Sequence, residues 1–343
     1  MRIKLNINPE AQLANLKNSA WLPSKLPETI KSAKALRNDK TKEKKLSKGT
    51  ENTVKEINNE AIEEILKELN CLVGLQEVKA LIHELRSFVE VRNMRIQEGL
   101  SNESMALHMI FKGNPGTGKT TVSRIVGRLF KELGVLPKGH VIEVERADLV
   151  GEYIGHTAIR AREQVKKALG GVLFIDEAYS LARGGDKDFG KECVDCLVKS
   201  VEDFRDNLIV ILSGYKDEMD IFLRTNPGIR SRFPIQLEFP DYETKELLEI
   251  AEAMVKEREY LLSGEGKLAL ERYLNEQERI GHPHRGNARL VRNIIEKSIR
   301  RHAVRLLSTN NEKKFSRQEL IVLERQDIIE GCKQCCEEKE ISQ

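Results

Sequence analysis

The sequence predicts an α/β protein, a parallel, doubly wound sheet followed by a helical lid. Three observations predict it. Between residues 106 and 240 five short β-type runs (ALHMIFKG, HVIEVE, GVLFID, NLIVILSG and FPIQLEF) alternate with helical segments. Parallel strands need crossover helices, so this alternation reads as a five-stranded parallel sheet. Beyond Pro240 the β-type runs stop, and ETKELLEIAEAMVKER, KLALERYLNEQERI and NARLVRNIIEKSIRRHAVRLL carry helical periodicity. The first run also leads directly into the glycine-rich turn GNPGTGKTT, which opens a helix.

The elements follow in chain order. Residues 1–50 hold twelve Lys and Arg against four Asp and Glu, a net +8 in a chain whose total is +3. The stretch RNDKTKEKKLSKGT has almost no apolar residue to bury, so residues 1–53 read as a basic, largely disordered arm and linker. Such an arm is a solvated tether, or a contact for nucleic acid or acidic protein. From Val54 an amphipathic stripe (Ile57, Ala61, Ile65, Leu69) begins, and a second helical run follows Gly74. Residues 54–105 are therefore a helical segment leading into the α/β core at 106–240. The lid occupies 241–310, and 311–343 reads as a charged tail. No apolar run approaches the roughly 20 residues of a membrane-spanning helix. The start, MRIKLNINPE, lacks an apolar leader core, and the six cysteines are too few for a disulfide framework in 343 residues. The expectation is a cytoplasmic protein.

Gly113, Asn114, Pro115, Gly116, Thr117, Gly118, Lys119 and Thr120 match the phosphate-loop pattern, with Thr121 next on the helix. Glycines let backbone N–H groups curl around phosphate oxygens, and the helix N-terminus adds partial positive charge. Lys119 is placed to reach the β- and γ-phosphates of ATP, and Thr120 to offer its hydroxyl to Mg²⁺. Fifty-seven residues beyond Lys119 the apolar run VLFI ends in Asp176 and Glu177. In open α/β sheets ligands bind at this strand edge. Asp176 is expected to hold Mg²⁺ through water, and Glu177 to polarise the attacking water.

Taken together, FKGNPGTGKTT, GHVIEVERADLVGEYIGHTA, GGVLFIDEAYSLARGGDKDFGKE, NPGIRSRFPIQLEFPDY and NARLVRNIIEKSIR resemble the AAA+ ATPases. The resemblance covers about 70–310. It is closest to the CbxX/CfxQ family, which includes red-type Rubisco activases, and within it to the sporulation members. That resemblance implies a P-loop AAA+ core with its lid, a homo-hexameric ring and ATP-driven remodelling of a client protein. It also implies roles for single positions. Arg232, just before the last strand, stands where an arginine finger enters the neighbouring subunit's site, with Arg230 a second choice. Arg289, opening the long lid helix, matches the sensor-2 position, and Val73 and Gly74 match the adenine-pocket segment. Tyr153, Ile154 and Gly155 match a pore loop whose aromatic residue grips polypeptide. Residues 183–190 stand at a second pore loop or form a connector. Many relatives carry an Asn as sensor 1, whereas here the strand LIVILSGYK ends in Ser213, Gly214 and Tyr215.

The reading is an ATPase acting on a client protein. A second reading is a DNA-acting AAA+ motor that uses the basic arm on phosphates. Against it stand the pore aromatic, the near-neutral net charge and the missing helix-turn-helix signature, and aromatics at 5% that do not interleave with basic residues leave a single-strand stacking surface unsupported. Cys193 with Cys196, and Cys332 with Cys335 and Cys336, have CxxC spacing but lie in dissimilar helical and charged contexts. They are expected to be free thiols.

Overall fold

Two helices precede the sheet. α1 (Asn59–Cys71) starts where the Asn58 side chain accepts the Ala61 N–H, and it buries Ile62, Ile65, Leu66 and Leu69. α2 (Gln76–Gln97) follows a sharp turn in which Gly74 and Leu75 both have left-handed backbones. The computed structural model describes residues 58–101, 106–153, 155–183, 188–281, 286–309 and 315–341. The basic arm of residues 1–53 lies outside them.

The α/β core runs β1 (Met109–Gly113), α3 (Lys119–Glu132), β2 (Val141–Val144), α4 (Arg146–Leu149), α5 (His156–Ala168) and β3 (Val172–Ile175). A 3₁₀ turn at Ala178–Ala182 comes next. It is followed by α6 (Gly190–Asp203), β4 (Ile209–Gly214), α7 (Lys216–Thr225), α8 (Pro227–Arg232) and β5 (Ile235–Phe239). The five strands form one parallel sheet in the order β2-β3-β4-β1-β5. They are the five runs the sequence predicts. The central strands β1, β3 and β4 are buried along their whole length, as their continuous apolar runs require. The edge strand β5 alternates buried and exposed residues.

Alternation divides the core between the two faces of the sheet. Met109 and Phe111 pack with α1, α2 and α3, whereas Ile110 packs with α5, α6 and α7. Lys112, on the Ile110 side, is buried too, and its ammonium donates to Asp220 at 2.6 Å and to Gln236 at 2.9 Å.

His108, directly before β1, is fully buried, and its Nδ1 accepts the Val210 N–H at 3.1 Å. Burial pushes its pKa down to about 4. As pH falls below the unfolded value of about 6.5, the unfolded chain takes up a proton that the folded chain refuses, so stability is lost. The expected loss between pH 7 and pH 5 is about 2 kcal/mol from this group. Urea unfolding at the two pH values checks it. His108→Asn keeps an acceptor for Val210 and should remove that part of the acid sensitivity.

The lid comprises α9 (Thr244–Glu257), β6 (Leu261–Leu262), α10 (Gly264–Ile280), α11 (Asn287–Thr309), α12 (Arg317–Ile321), β7 (Val322–Leu323) and α13 (Arg325–Ile341). Two features differ from expectation. β6, in the stretch that reads as helical, pairs in parallel over two residues with β7, in the stretch that reads as a charged tail. The stretch from 315, read as a charged tail, forms α12, β7 and α13. α13 packs on the lid through Ile328, Cys332 and Cys335, and Leu323 is fully buried. Asp327 is buried as well, and accepts two hydrogen bonds of 2.9 Å from the Arg305 guanidinium. Burial raises the Cys332 thiol to about 12, so it behaves as a small apolar side chain. Among the described residues no helix is long and apolar enough to cross a membrane.

Candidate active site

The site begins where β1 ends. The chain turns through residues 114–118 and enters α3 at Lys119. Gly116 and Gly118 have φ of 74° and 98°, values that strain any residue with a side chain. At Gly116 there is also no room for one, since a Cβ would stand 2.7 Å from the Arg289 nitrogen. No side chain caps α3, so its first-turn N–H groups remain available to an anion. The Lys119 ammonium donates to the carbonyls of Gly113 and Asn114 at 2.8 Å each. Burial lowers its pKa, and the carboxylates of Asp176, Asp241 and Glu177 partly offset that. A loop of open N–H groups, a partly desolvated ammonium and hydroxyls at Thr120 and Thr121 fit a polyphosphate.

The carboxylates stand at the C-terminal end of β3. Asp176 Oδ1 accepts the Ser213 hydroxyl at 2.9 Å and the Glu177 N–H at 3.0 Å. Ser213, fully buried on the neighbouring strand β4, is therefore the sensor-1 candidate that touches the site. Glu177 has a left-handed backbone, φ 47°, which costs about 1 kcal/mol or more for a residue with a side chain. Its side chain is exposed beside the buried strand end. Tyr215 follows the strand. Burial raises its phenol pKa and the charge of Glu177 raises it further, whereas Arg289 opposes the rise. Asp176 and Thr120 offer oxygen donors, the kind Mg²⁺ prefers.

Other expected positions fall around this centre. A side chain on Gly74 would meet the Glu246 carboxylate and, at 3.3 Å, the Tyr242 ring. Val73 and Gly74 thus lie against the start of the lid. Leu75, beside them, lies next to Gly118. Arg289 sits on the first turn of α11, against Gly116, with an exposed side chain.

Arg232 is not part of this cluster. It ends α8, three residues before Ile235, which pairs with the first residue of β1, Met109. The phosphate loop leaves the opposite end of β1, beyond Gly113, which pairs with Phe239. Five residues of strand separate these edges by roughly 15 Å at ~3.3 Å per residue. Arg232 instead contacts Glu202 at 3.3 Å and the Gly228 carbonyl at 3.2 Å. Arg230 is exposed.

Tyr153 is 66% exposed, and its ring meets His156 edge-on at 5.4 Å. The base of its loop is fixed by the buried Thr157 hydroxyl, which accepts the Gly151 N–H at 3.0 Å. Gly155 opens α5 with a left-handed backbone. Ile154 lies outside the described residues, as do 184–187 of the second candidate loop.

Sequence reading missed three residues behind the phosphate loop. Asp241 accepts from two amides, Asn114 at 3.0 Å and Asn287 at 2.8 Å. Asn287, buried and left-handed at φ 44°, also accepts the Tyr242 N–H at 3.0 Å. Tyr242 donates its hydroxyl to the Thr117 carbonyl at 3.2 Å. The available signal was modest: Asp241 and Tyr242 follow Pro240, and Asn287 precedes Arg289 by two.

Comparison with known proteins agrees with this fold. Residues 109–241 match the ATPase family associated with various cellular activities (AAA), and residues 243–338 match the AAA lid domain. Stage V sporulation protein K of Bacillus subtilis (strain 168) is 54% identical over 268 residues, 78% of this chain and 82% of that protein. The chloroplastic ribulose bisphosphate carboxylase/oxygenase activase of Cyanidioschyzon merolae is 42% identical over 83% of this chain and 97% of its own length. CbbX of Cereibacter sphaeroides is 45% identical over 72% of this chain and 80% of its own. The nucleotide loop, the paired carboxylates and the lid thus have one explanation: this chain belongs to the AAA+ ATPases, among the relatives of CbxX, CfxQ and stage V sporulation protein K.

Proposed function

We propose that this chain is a Mg²⁺-dependent ATPase that works as a homo-hexameric ring and remodels or threads a client protein. The observation that carries the client reading is Tyr153. A large apolar ring stands exposed on a loop whose base is pinned, next to a glycine that lets the loop move. Such a ring grips extended polypeptide by apolar contact without reading its sequence.

For hydrolysis, Lys119 and the open first turn of α3 bind the phosphates, with Gly113 through Thr121 forming the cradle. Glu177 accepts the proton of the attacking water. Asp176, with Oδ1 committed to Ser213, and Thr120 would hold Mg²⁺, which neutralises phosphate charge when bound. Val73 and Gly74 line the base, and Arg289 reports the phosphate state to the lid. Arg232 acts on the neighbouring subunit's ATP, because its own site lies at the other edge of the sheet. The likeness to a sporulation protein supports a sporulation client, and the absence of a spanning helix among the described residues is compatible with work in the cytoplasm.

The test is the ATPase rate with unfolded protein and with DNA, at two salt concentrations. Tyr153→Ala should keep basal hydrolysis and lose client stimulation. Deleting residues 1–50 should affect recruitment at most. Strong stimulation by DNA that survives Tyr153→Ala and vanishes with the arm would replace this reading by a DNA-acting motor.

A further inference from the structure

The carbonyls of the phosphate loop are held from behind by residues of the lid and its entry. Pro115 O accepts from Asn287 Nδ2 at 3.3 Å, and Gly116 O from the Ala288 N–H at 3.2 Å. Thr117 O accepts from the Tyr242 hydroxyl. These are three consecutive carbonyls, and all three donors come from 242 and 287–288. A peptide unit is planar and trans, so a carbonyl and the next N–H point in opposite directions. Pinning the oxygens of Pro115, Gly116 and Thr117 on one side turns the N–H groups of Gly116, Thr117 and Gly118 to the other side. Three successive N–H groups so turned form an anion-binding nest.

We infer that Asn287 and Tyr242 are positioning residues that pre-form the phosphate nest and tie its shape to the position of the lid. Asn287 is the centre of the device. Its amide oxygen holds the Tyr242 backbone, and its amide nitrogen holds both Pro115 O and Asp241. Asp241 in turn holds the Asn114 side chain at the start of the loop. The left-handed backbone at 287 brings this side chain back over the loop, and Asn is one of the few side-chain-bearing residues that adopts it readily. When the lid moves away, these donors leave with it. The loop carbonyls then become free to rotate inward, against the phosphates. Lid opening thereby weakens nucleotide binding through the loop's own backbone, in addition to any contact made by Arg289.

The inference rests on the ATPase reading, and its test keeps the two apart. The full chain is loaded with ATP bearing a fluorescent N-methylanthraniloyl group, and release is followed by rapid mixing. Tyr242→Phe removes one hydrogen bond and should speed release roughly three- to tenfold. Asn287→Gly keeps the backbone conformation, removes the side-chain hydrogen bonds to Pro115, Asp241 and Tyr242 and should speed release further. KM for ATP should rise in step, whereas kcat should not fall. Asn287→Asp sets two carboxylates against each other, and Asp241→Asn replaces one of two acceptor oxygens by a donor. Combining the two substitutions exchanges the amide and the carboxylate between positions 241 and 287. A donor then faces an acceptor again between 241 and 287, but a carboxylate at 287 has no hydrogen for Pro115 O, so release should recover only in part and stay faster than in the parent. A purely structural role predicts the contrary result: melting temperatures fall while release and KM stay at parent values. That outcome would overturn the inference and leave the ATPase reading standing. A parent chain that fails to bind the labelled ATP would sink both.

Discussion

Lys119→Ala is expected to abolish measurable ATP binding, whereas Glu177→Gln should bind ATP normally and lose hydrolysis. In the proposed site the two residues would face the same nucleotide from different elements, and their chemistry separates their effects. The Lys119 ammonium is partly desolvated among the carboxylates of Asp176, Asp241 and Glu177. A charge-assisted hydrogen bond in such a place is worth about 1.5–3 kcal/mol, so losing contact with two phosphates weakens binding by at least ~100-fold. Glu177 is exposed at the strand end and makes no comparable demand on the ground state. Replacing its carboxylate by an amide keeps size and shape and removes the base, which is worth about 10²–10⁴ in rate. Titration calorimetry measures the first effect and phosphate release the second. Equal binding by the two variants would refute this division of labour.

The Asp176–Ser213 hydrogen bond shows where reading a sequence succeeds and where it stops. Asp176 was legible because an apolar strand ending in carboxylates, a fixed distance beyond a phosphate loop, has few other meanings. Ser213 was not separable from Gly214 and Tyr215, since which residue faces the neighbouring strand depends on register, and register is set between strands. The same reason hid the anchors of the phosphate loop. Asn114 meets Asp241 across 127 positions, and Tyr242 meets Thr117 across 125. A periodicity cannot report a single contact at that separation.

The sheet itself was legible because buried parallel strands must be continuous apolar runs. The C-terminal helix was not. In RQDIIEGCKQCCEEKEI the charges dominate the composition, and the buried hydrophobic stripe among the described residues is Ile328, Cys332 and Cys335. Two of its three members are cysteines, which read more readily as ligands or thiols than as core. The pair β6 and β7 has two residues per strand, too short for any alternation to register.

Arg232→Ala should leave the subunit able to bind ATP and lower turnover by about 10³-fold or more, the scale of an arginine finger. Arg232 stands at the N-terminal end of β5, while the phosphates of its own subunit would lie beyond the C-terminal end of β1, a strand's length away. It rests there on Glu202 and Gly228, contacts a side chain can exchange for a neighbour's phosphate at modest cost. A finger used in trans has a signature that no residue acting within its own subunit can produce. Subunits carrying Arg232→Ala retain the phosphate loop and Glu177 but cannot serve their neighbour. Subunits carrying Glu177→Gln retain Arg232 but cannot hydrolyse. Each is inactive alone, yet at their junction an intact Arg232 meets an intact Glu177. Mixed rings should therefore regain activity, greatest near equal proportions, and the gain should depend on assembly. Turnover measured across a series of mixing ratios, with ring formation confirmed by sedimentation, decides the point. Flat, inactive mixtures in assembled rings would place Arg232 outside any shared site.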